Sequence, residues 1–190
     1  MNRLLPILLV LFLAGCGTVR KMESGSHTIG ERLAVSIDGS WNHLDFPGIK
    51  PAQVWTMEGI AVDELLIYSG IKDGQMMHAE GSAGGKQQNF VFRSTMQTEA
   101  IVAMLEGVMS RDNSVFKLTR LEPYRFGGRQ GFRFEYEHIR KVDNVQLLGV
   151  GFGAVDRGEL FALIYHAPRL TFFPRHRAQV EAMAKAAVIR

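Results

Sequence analysis

The chain has 190 residues, of which 46% are hydrophobic and 22% charged, and its formal net charge is +3. These values are ordinary for a globular protein and exclude a largely disordered chain, and so small a positive charge gives no indication of nucleic-acid binding. The single cysteine, Cys16, excludes a disulfide within the chain.

The first fifteen residues have the pattern of a secretion signal. Arg3 supplies a positive charge, and the stretch from Leu4 to Phe12 is apolar apart from Pro6. This stretch is shorter than the roughly 20 residues that a membrane-spanning helix needs. We therefore expect a signal peptide over residues 1–15 that is removed from the mature protein.

The signal ends in Leu13-Ala14-Gly15-Cys16, which resembles the bacterial lipobox. The resemblance implies cleavage before Cys16 and a lipid joined to its sulfur, so the lipid would hold the protein at a membrane. The alternative is a plain signal peptide followed by an unrelated cysteine. An aspartate directly after the cysteine would resemble an inner-membrane retention signal, but the residue at that position is Gly17. This favours the outer membrane, facing the periplasm, with the periplasmic face of the inner membrane as the alternative.

The next segment is polar, rich in glycine and without periodicity from Gly17 to Gly30. We expect residues 16–31 to form the lipidated cysteine and a flexible tether, and residues 32–190 to form a single domain. Leu33 to Ile37 alternates between apolar and other residues and predicts the first strand. Further short extended segments are predicted at Trp41–Phe46, Val54–Met57, Leu65–Tyr68 and Phe90–Arg93.

A helix is predicted from Thr98 to Asp112, with Thr98 as its N-cap, because apolar residues recur there at the helical period. Gly131 to Ala167 has the clearest pattern, three strands joined by turns at Val142–Asn144 and Asp156–Glu159. The second and third strands are apolar on both faces, which predicts that both faces are covered. A final helix is predicted from Pro174.

The order of elements in the last third resembles one known family. A hairpin with a glycine-rich strand leads into Leu160–Pro168, followed by Phe172-Phe173-Pro174 and a helix that ends in Val188-Ile189-Arg190. This order resembles the PsbP-like α/β/α sandwich, which is shared by a photosystem extrinsic subunit and a Ran-binding import factor. The resemblance implies an α+β fold in which helices cover both faces of a mostly antiparallel sheet, and members that mostly bind or assemble. The segment Trp55–Gly59 is similar to one in proteobacterial lipoproteins, which implies no activity.

Patterns that would indicate catalysis or metal binding are missing from the sequence. The six histidines form no His-x-His pair and no His-Glu-x-x-His motif, and there is no Gly-x-Ser-x-Gly. We place His138 and His166 two strands apart, roughly 10 Å by strand spacing, which is too far to share a metal ion. Glu135 and Glu137 could pair as acid and base, but alternating surface charge is the preferred interpretation. We therefore expect no enzyme, no cofactor and no metal.

One candidate site is a stripe of glycines at alternate positions of one strand, formed by Gly149, Gly151 and Gly153. Their missing side chains would leave a groove for an apolar ligand or a peptide. The alternatives are close packing of a helix on the sheet and a strongly bent strand.

A second candidate site is the basic turn formed by Arg169, Arg175, His176 and Arg177, around the start of the last helix. Positive residues are unfavourable at that end of a helix, and a bound anion would relieve the conflict. A lipid headgroup, a lipopolysaccharide phosphate or an acidic partner would fit, and a solvated basic turn is the alternative.

Three functions follow from these patterns. The first is non-enzymatic binding or assembly in the cell envelope, with an envelope protein or anionic lipid as partner and no nucleic acid. The second is a carrier of an apolar or lipid ligand in a sheet–helix groove, which a deep apolar cavity would indicate. The third is an envelope hydrolase, which a cleft with clustered polar residues and a base would indicate. Exposure of Trp41 or Trp55 on a shallow surface would favour partner binding.

Overall fold

The computed structural model describes residues 18–45, 50–78 and 90–190. Within this part of the chain, eleven strands and two helices form, and the strands pair antiparallel in two sheets. The elements are β1 (Thr18–Met22), β2 (Gly25–Ile29), β3 (Leu33–Ile37), β4 (Trp41–Asp45), β5 (Gln53–Thr56), β6 (Glu64–Ile71), α1 (Thr98–Met109), β7 (Val115–Phe126), β8 (Arg129–Ile139), β9 (Gln146–Asp156), β10 (Glu159–Pro168), α2 (Phe172–Ala186) and β11 (Val188–Ile189).

The larger sheet has the strand order β1-β4-β5-β6-β10-β9-β8-β7, and the smaller has the order β11-β3-β2. The predicted meander is confirmed as β8, β9 and β10, three adjacent strands of the larger sheet. A two-residue loop of Arg157 and Gly158 joins β9 to β10, with φ of 52° and 76°. Positive φ at both positions gives the tight turn whose twist matches that of paired strands.

Two hydrophobic clusters take alternate residues of β10, because successive side chains of a strand point to opposite faces. Leu160, Ala162 and Ile164 belong to a cluster that also contains the apolar side of α1. Phe161, Leu163 and Tyr165 belong to the other cluster, together with the apolar side of α2. The fold is therefore a mixed, sheet-dominated α+β structure, as the sequence predicts.

The cluster that contains the apolar side of α2 also includes residues of the smaller sheet, because α2 contacts β3 as well as β9 and β10. Leu33 and Val35 of β3 are buried there. Phe152 of β9 is buried in the same cluster.

The predicted flexible tether is wrong for the described residues from Thr18 onward. β1 pairs with β4 from Thr18↔Asp45 to Met22↔Trp41, and β2 pairs with β3. Both strands are mostly exposed and polar, so they lack the apolar alternation from which a strand is predicted, although their backbones are paired.

Other boundaries also differ from the prediction. α1 ends at Met109 rather than Asp112, and its N-cap is Gln97, while α2 begins two residues before Pro174. The predicted strand Phe90–Arg93 is a single bridge, Val91 with Met76. β7 was not predicted, because its largely exposed edge position again gives no apolar pattern.

Candidate functional site

A cavity of about 340 Å³ lies between the end of α1 and the face of the larger sheet that α1 covers. Its volume is at the lower end of the range for small-molecule sites, about 300–1,000 Å³. The polar residues that line it are Glu64, Tyr68, His78, Arg111, Asp112, Ser114, His138, Arg140 and His166. A wider depression of about 660 Å³ runs beside α2, but no histidine or buried charged residue is among its lining residues.

The strand residues reach the cavity because alternate positions share one face of the sheet. His138 continues the row of Phe132, Phe134 and Tyr136 on β8. On β10, His166 continues the row of Leu160, Ala162 and Ile164. Glu64 pairs in register with His166 from the neighbouring strand β6. The sheet register therefore gathers these polar groups at one end of the α1 face.

Gly149 of β9 lies between the two strands that carry the histidines. It pairs with Tyr136 on one side and with His166 on the other. A Cβ atom at Gly149 would lie 2.0 Å from Cζ of Tyr136, so the tyrosine ring occupies the space that a side chain would fill. The hydroxyl of Tyr136 thereby reaches across β9 to Nδ1 of His166, at 3.1 Å.

The rings of His138 and His166 lie closer than their strands. Their centroids are 5.7 Å apart, whereas strand spacing alone predicts about 10 Å. The prediction of separated histidines is wrong for the side chains, because strand spacing describes the backbones and the two rings lean towards each other across β9.

A hydrogen-bonded chain runs from Tyr136 through His166 to Glu64. Burial, together with the charge of Glu64, raises the pKa of Tyr136 well above its usual value, so its hydroxyl stays protonated and donates to Nδ1 of His166. Nε2 of His166 then carries the proton and donates to Oε2 of Glu64, at 3.2 Å. The chain fixes the tautomer of His166 and uses both of its ring nitrogens.

His138 has a different environment. The residue is 5% exposed, and neither ring nitrogen has a hydrogen-bond partner among the residues that the structure describes. Burial, and then the neighbouring His166, lowers the pKa of His138 to about 4. At pH 7 the ring is therefore neutral, with one N–H donor and one lone pair that no other described residue uses.

The two arginines that line the cavity, Arg111 and Arg140, differ in their hydrogen-bond partners. Arg140 donates to both carboxylate oxygens of Asp143, at 3.0 and 2.6 Å, and to the carbonyl of Ala61. Arg111 makes no ion pair or hydrogen bond with other described residues. The cavity thus combines a guanidinium paired with Asp143, a guanidinium without a partner among the described residues, and a neutral imidazole.

The basic turn predicted from the sequence does not converge on one place. Arg175 and His176 both contact Oε1 of Glu58, at 3.2 and 2.9 Å. The hydrogen bond from His176, with a smaller contribution from Arg175, lowers the pKa of Glu58. A carboxylate of the chain itself therefore fills the role predicted for an external anion.

The other two basic residues of the turn lie apart from that pair. Arg177 donates to Glu135, at 2.7 Å, and to Glu181, at 2.9 Å. Arg169 uses its backbone N–H to bind the carbonyl of Gln146 and borders a separate small depression. The prediction of a convergent anion site at these four residues is wrong.

The predicted groove over the glycine stripe is also absent from the described structure. Cβ atoms at Gly151 and Gly153 would lie 2.2 Å from Phe134 and 2.6 Å from Phe132. Aromatic rings of β8 cover the stripe. The glycines therefore allow close packing by the neighbouring strand, rather than by a helix, and leave no groove.

The remaining predicted features give the following results. Trp41 and Trp55 are buried, at 0% and 1% exposure, so neither forms an exposed surface.

Cys16 and the signal peptide over residues 1–15 lie outside the described residues. Among the described residues there is no group of three His, Cys, Asp or Glu residues that could hold a metal ion. No helix in the same residues is long and apolar enough to cross a membrane.

The sequence indicates His138 and His166 only as possible metal ligands and does not predict the cavity. Their shared face could have been derived from the two-residue alternation along β8 and β10. The role of Gly149 is not visible in this alternation: its lack of a side chain lets the ring of Tyr136 lie over β9 and its hydroxyl reach His166. Arg111 lies inside the predicted helix Thr98–Asp112, whereas in the structure it follows α1 in an irregular segment.

Comparison with known proteins identifies the fold. No protein-family profile matches the chain, and no curated protein matches its sequence. The solution structure of cyanobacterial PsbP (CyanoP) from Synechocystis sp. PCC 6803 is similar, with a TM-score of 0.59 and 11% identity over 93% of this chain and 95% of that chain. A crystal structure of a Pseudomonas aeruginosa protein of unknown function has 15% identity over 86% of this chain and 95% of that chain. Its TM-score of 0.41 is too low to support a conclusion about the fold. The chain therefore has a PsbP-like fold.

Proposed function

We propose that this chain is a non-enzymatic binding module of the bacterial cell envelope, and that a small molecule binds in the cavity beside His138. The observation that carries this proposal is a buried imidazole whose two nitrogens have no partner in the described part of the chain. Leaving a buried polar group unpaired costs about 1–3 kcal/mol. A ligand that forms a hydrogen bond with His138 would remove this cost, so the cavity favours a ligand with a polar group.

The contacts of the nearby hydroxyl groups favour binding over hydrolysis. Tyr136 donates its hydroxyl proton to His166 and does not line the cavity. Ser114 lines the cavity, but its oxygen accepts the backbone N–H of Lys141, at 3.0 Å, and does not contact His138. A nucleophilic hydroxyl needs an adjacent base that can take its proton. Neither hydroxyl has one that a substrate could also reach.

A carrier of an apolar or lipid ligand would hold that ligand in the same cavity, since the cavity lies between the larger sheet and α1. Part of the wall is apolar, formed by Ala52, Ile60, Leu66, Met77, Val108 and Met109. The volume of about 340 Å³ corresponds to about eleven water molecules at about 30 Å³ each. A membrane lipid is several times larger, so the size of the cavity favours a small amphipathic molecule.

We also propose that the two helices cover opposite faces of the larger sheet, as in the sandwich that the sequence resembles. The alternation along β10 supports this arrangement, because its two sets of side chains belong to the cluster of α1 and to the cluster of α2. The similar fold of CyanoP also supports it.

For its location, we propose a lipid anchor on Cys16 in the outer membrane, with the domain facing the periplasm and the inner membrane as the alternative. β1 begins at Thr18, so Gly17 alone, with a span of at most about 7 Å from Cys16 to Thr18, would separate the anchor from the domain. The domain would then lie against the lipid headgroups rather than at the end of a long tether. An envelope protein or an anionic lipid surface are the partner classes that this position favours.

Methionine methyl groups provide the test of small-molecule binding. Met77 and Met109 line the cavity, while Met183 is buried in the other cluster. We expect fragments from a chemically diverse library to shift the ¹³C-methyl signals of Met77 and Met109, but not that of Met183, in the full chain in detergent micelles. His138→Leu should abolish these shifts, and the control His27→Leu should preserve them. A library without effect on Met77 and Met109 would contradict the proposal.

A further inference from the structure

The geometry points to a small organic carboxylate with an apolar body as the ligand of this cavity, held by Arg111 and His138. This inference rests on the proposed binding function and adds the chemical class of the ligand. It follows from the hydrogen-bond donors at the cavity, from the guanidinium of Arg111, which has no ion pair with other described residues, and from the apolar part of the wall.

Two donor groups at the cavity have no partner within the described part of the chain. The guanidinium of Arg111 and the hydroxyl of Tyr68 line the cavity and form no hydrogen bond with other described residues. Burial raises the pKa of Tyr68, so its hydroxyl stays protonated and can donate. The neutral ring of His138 adds one N–H. A carboxylate accepts hydrogen bonds at both oxygens and suits such a set of donors better than an amine, which mainly donates.

One oxygen of each acid at the cavity has a hydrogen-bond partner, and the other guanidinium is paired. Oε2 of Glu64 accepts from His166, and Oδ1 of Asp112 accepts the backbone N–H of Ser114, at 2.9 Å. Arg140 is held by Asp143, through two hydrogen bonds. Arg111 is therefore the guanidinium at the cavity that has no carboxylate among the described residues. The planar fork of arginine matches the two oxygens of a carboxylate.

The apolar residues determine the rest of the ligand. Leu66 on β6, Val108 and Met109 at the end of α1, and Met77 line the cavity together with the donors. A ligand that fills the cavity would place its carboxylate at Arg111 and His138 and an aromatic ring or short aliphatic chain against these side chains. Methionine side chains adapt to such bodies because they are flexible and polarisable.

A matched series of probes tests the class of ligand. The probes are 4-phenylbutanoate, 4-phenylbutanamide and 4-phenylbutylamine, which share one apolar body and differ in the polar end. Their affinities are measured from the methyl shifts of Met77 and Met109 in the full chain in micelles. We expect the acid to bind at least tenfold more tightly than the amide and the amine.

Arg111→Gln should weaken binding of the acid at least tenfold and change binding of the amide less than twofold, because only the acid loses a charged partner. Arg125→Gln, at an exposed arginine that contacts the carbonyl of Gly128, is the matched control and should leave both affinities unchanged. An unchanged Met183 signal shows that each variant is folded.

Two results would overturn the inference. If the amide or the amine shifts Met77 and Met109 at least as strongly as the acid, the cavity binds small molecules but not this class. If Arg111→Gln binds the acid like the unmodified chain, Arg111 does not hold the carboxylate. Failure of the proposed binding function is a separate result, in which no fragment of the diverse library shifts either methionine.

Discussion

Lowering the pH from 7 to 5 should destabilise the protein through His138, and this part of the loss should disappear in His138→Gln. Burial and the neighbouring His166 lower the pKa of His138 from 6.5 to about 4 in the folded chain. Between pH 6.5 and about 4, His138 therefore binds a proton in the unfolded chain but not in the folded chain. The stabilisation is fully present above pH 6.5 and is lost as the pH falls from there to about 4.

The size of the effect follows from the two pKa values. At pH 5 nearly all of the unfolded chains carry a proton on His138, against about a tenth of the folded chains, which corresponds to a loss of about 2 kcal/mol relative to pH 7. Below pH 4 the full difference of about 3 kcal/mol would be lost. Because the side chain is almost completely buried, solvent screening reduces this effect little.

Urea unfolding at pH 5, 6 and 7 measures the effect in both proteins. The other titrating groups are common to them, so the difference between their pH dependences isolates His138. The unmodified protein should lose about 2 kcal/mol more than His138→Gln between pH 7 and pH 5. Equal losses in the two proteins would refute the reasoning, as would a His138 pKa close to 6.5 in an NMR titration.

Three further changes test other parts of the account. Cys16→Ser should abolish lipidation, and intact-mass analysis of the unmodified mature protein should show acyl chains on Cys16; a mature protein without acyl mass would exclude the anchor. Gly149→Ala should destabilise the fold by about 1–3 kcal/mol, because its Cβ would lie 2.0 Å from Cζ of Tyr136, and an unchanged urea midpoint would show that the ring has room to move. Phe152→Ala should cost about 3–5 kcal/mol in the same assay, and a cost below 1 kcal/mol would contradict the tight packing of Phe152 in the cluster of α2.

The central part of the fold could be predicted because its sequence pattern is a direct consequence of burial. β9 and β10 are apolar on both faces because each face packs in a hydrophobic cluster. The strands at the margins could not be predicted in the same way. In β1 the residues Val19, Arg20 and Lys21 are exposed, so their strand conformation depends on backbone pairing with β4, which leaves no periodic signal in the side chains.

The candidate site was predictable to a smaller extent, because its contacts join residues that are distant in sequence. The basic turn could be read as an anion site because Glu58, which pairs with Arg175, lies 117 positions away. The glycine stripe suggested a groove because the rings that fill it belong to the neighbouring strand. Likewise, Arg111 and His138 line one cavity only because the end of α1 lies over the end of β8.

The central claim is that the chain binds a small molecule in the cavity beside His138, and equilibrium dialysis against a small-molecule extract of bacterial envelopes tests it most directly. Three proteins are compared, the unmodified chain, His138→Leu and the control His27→Leu, and the retained compounds are identified by mass spectrometry. The account predicts that the unmodified chain and His27→Leu retain the same compounds, and that His138→Leu loses them. Equal retention by all three proteins, or no retained compound at all, would contradict it.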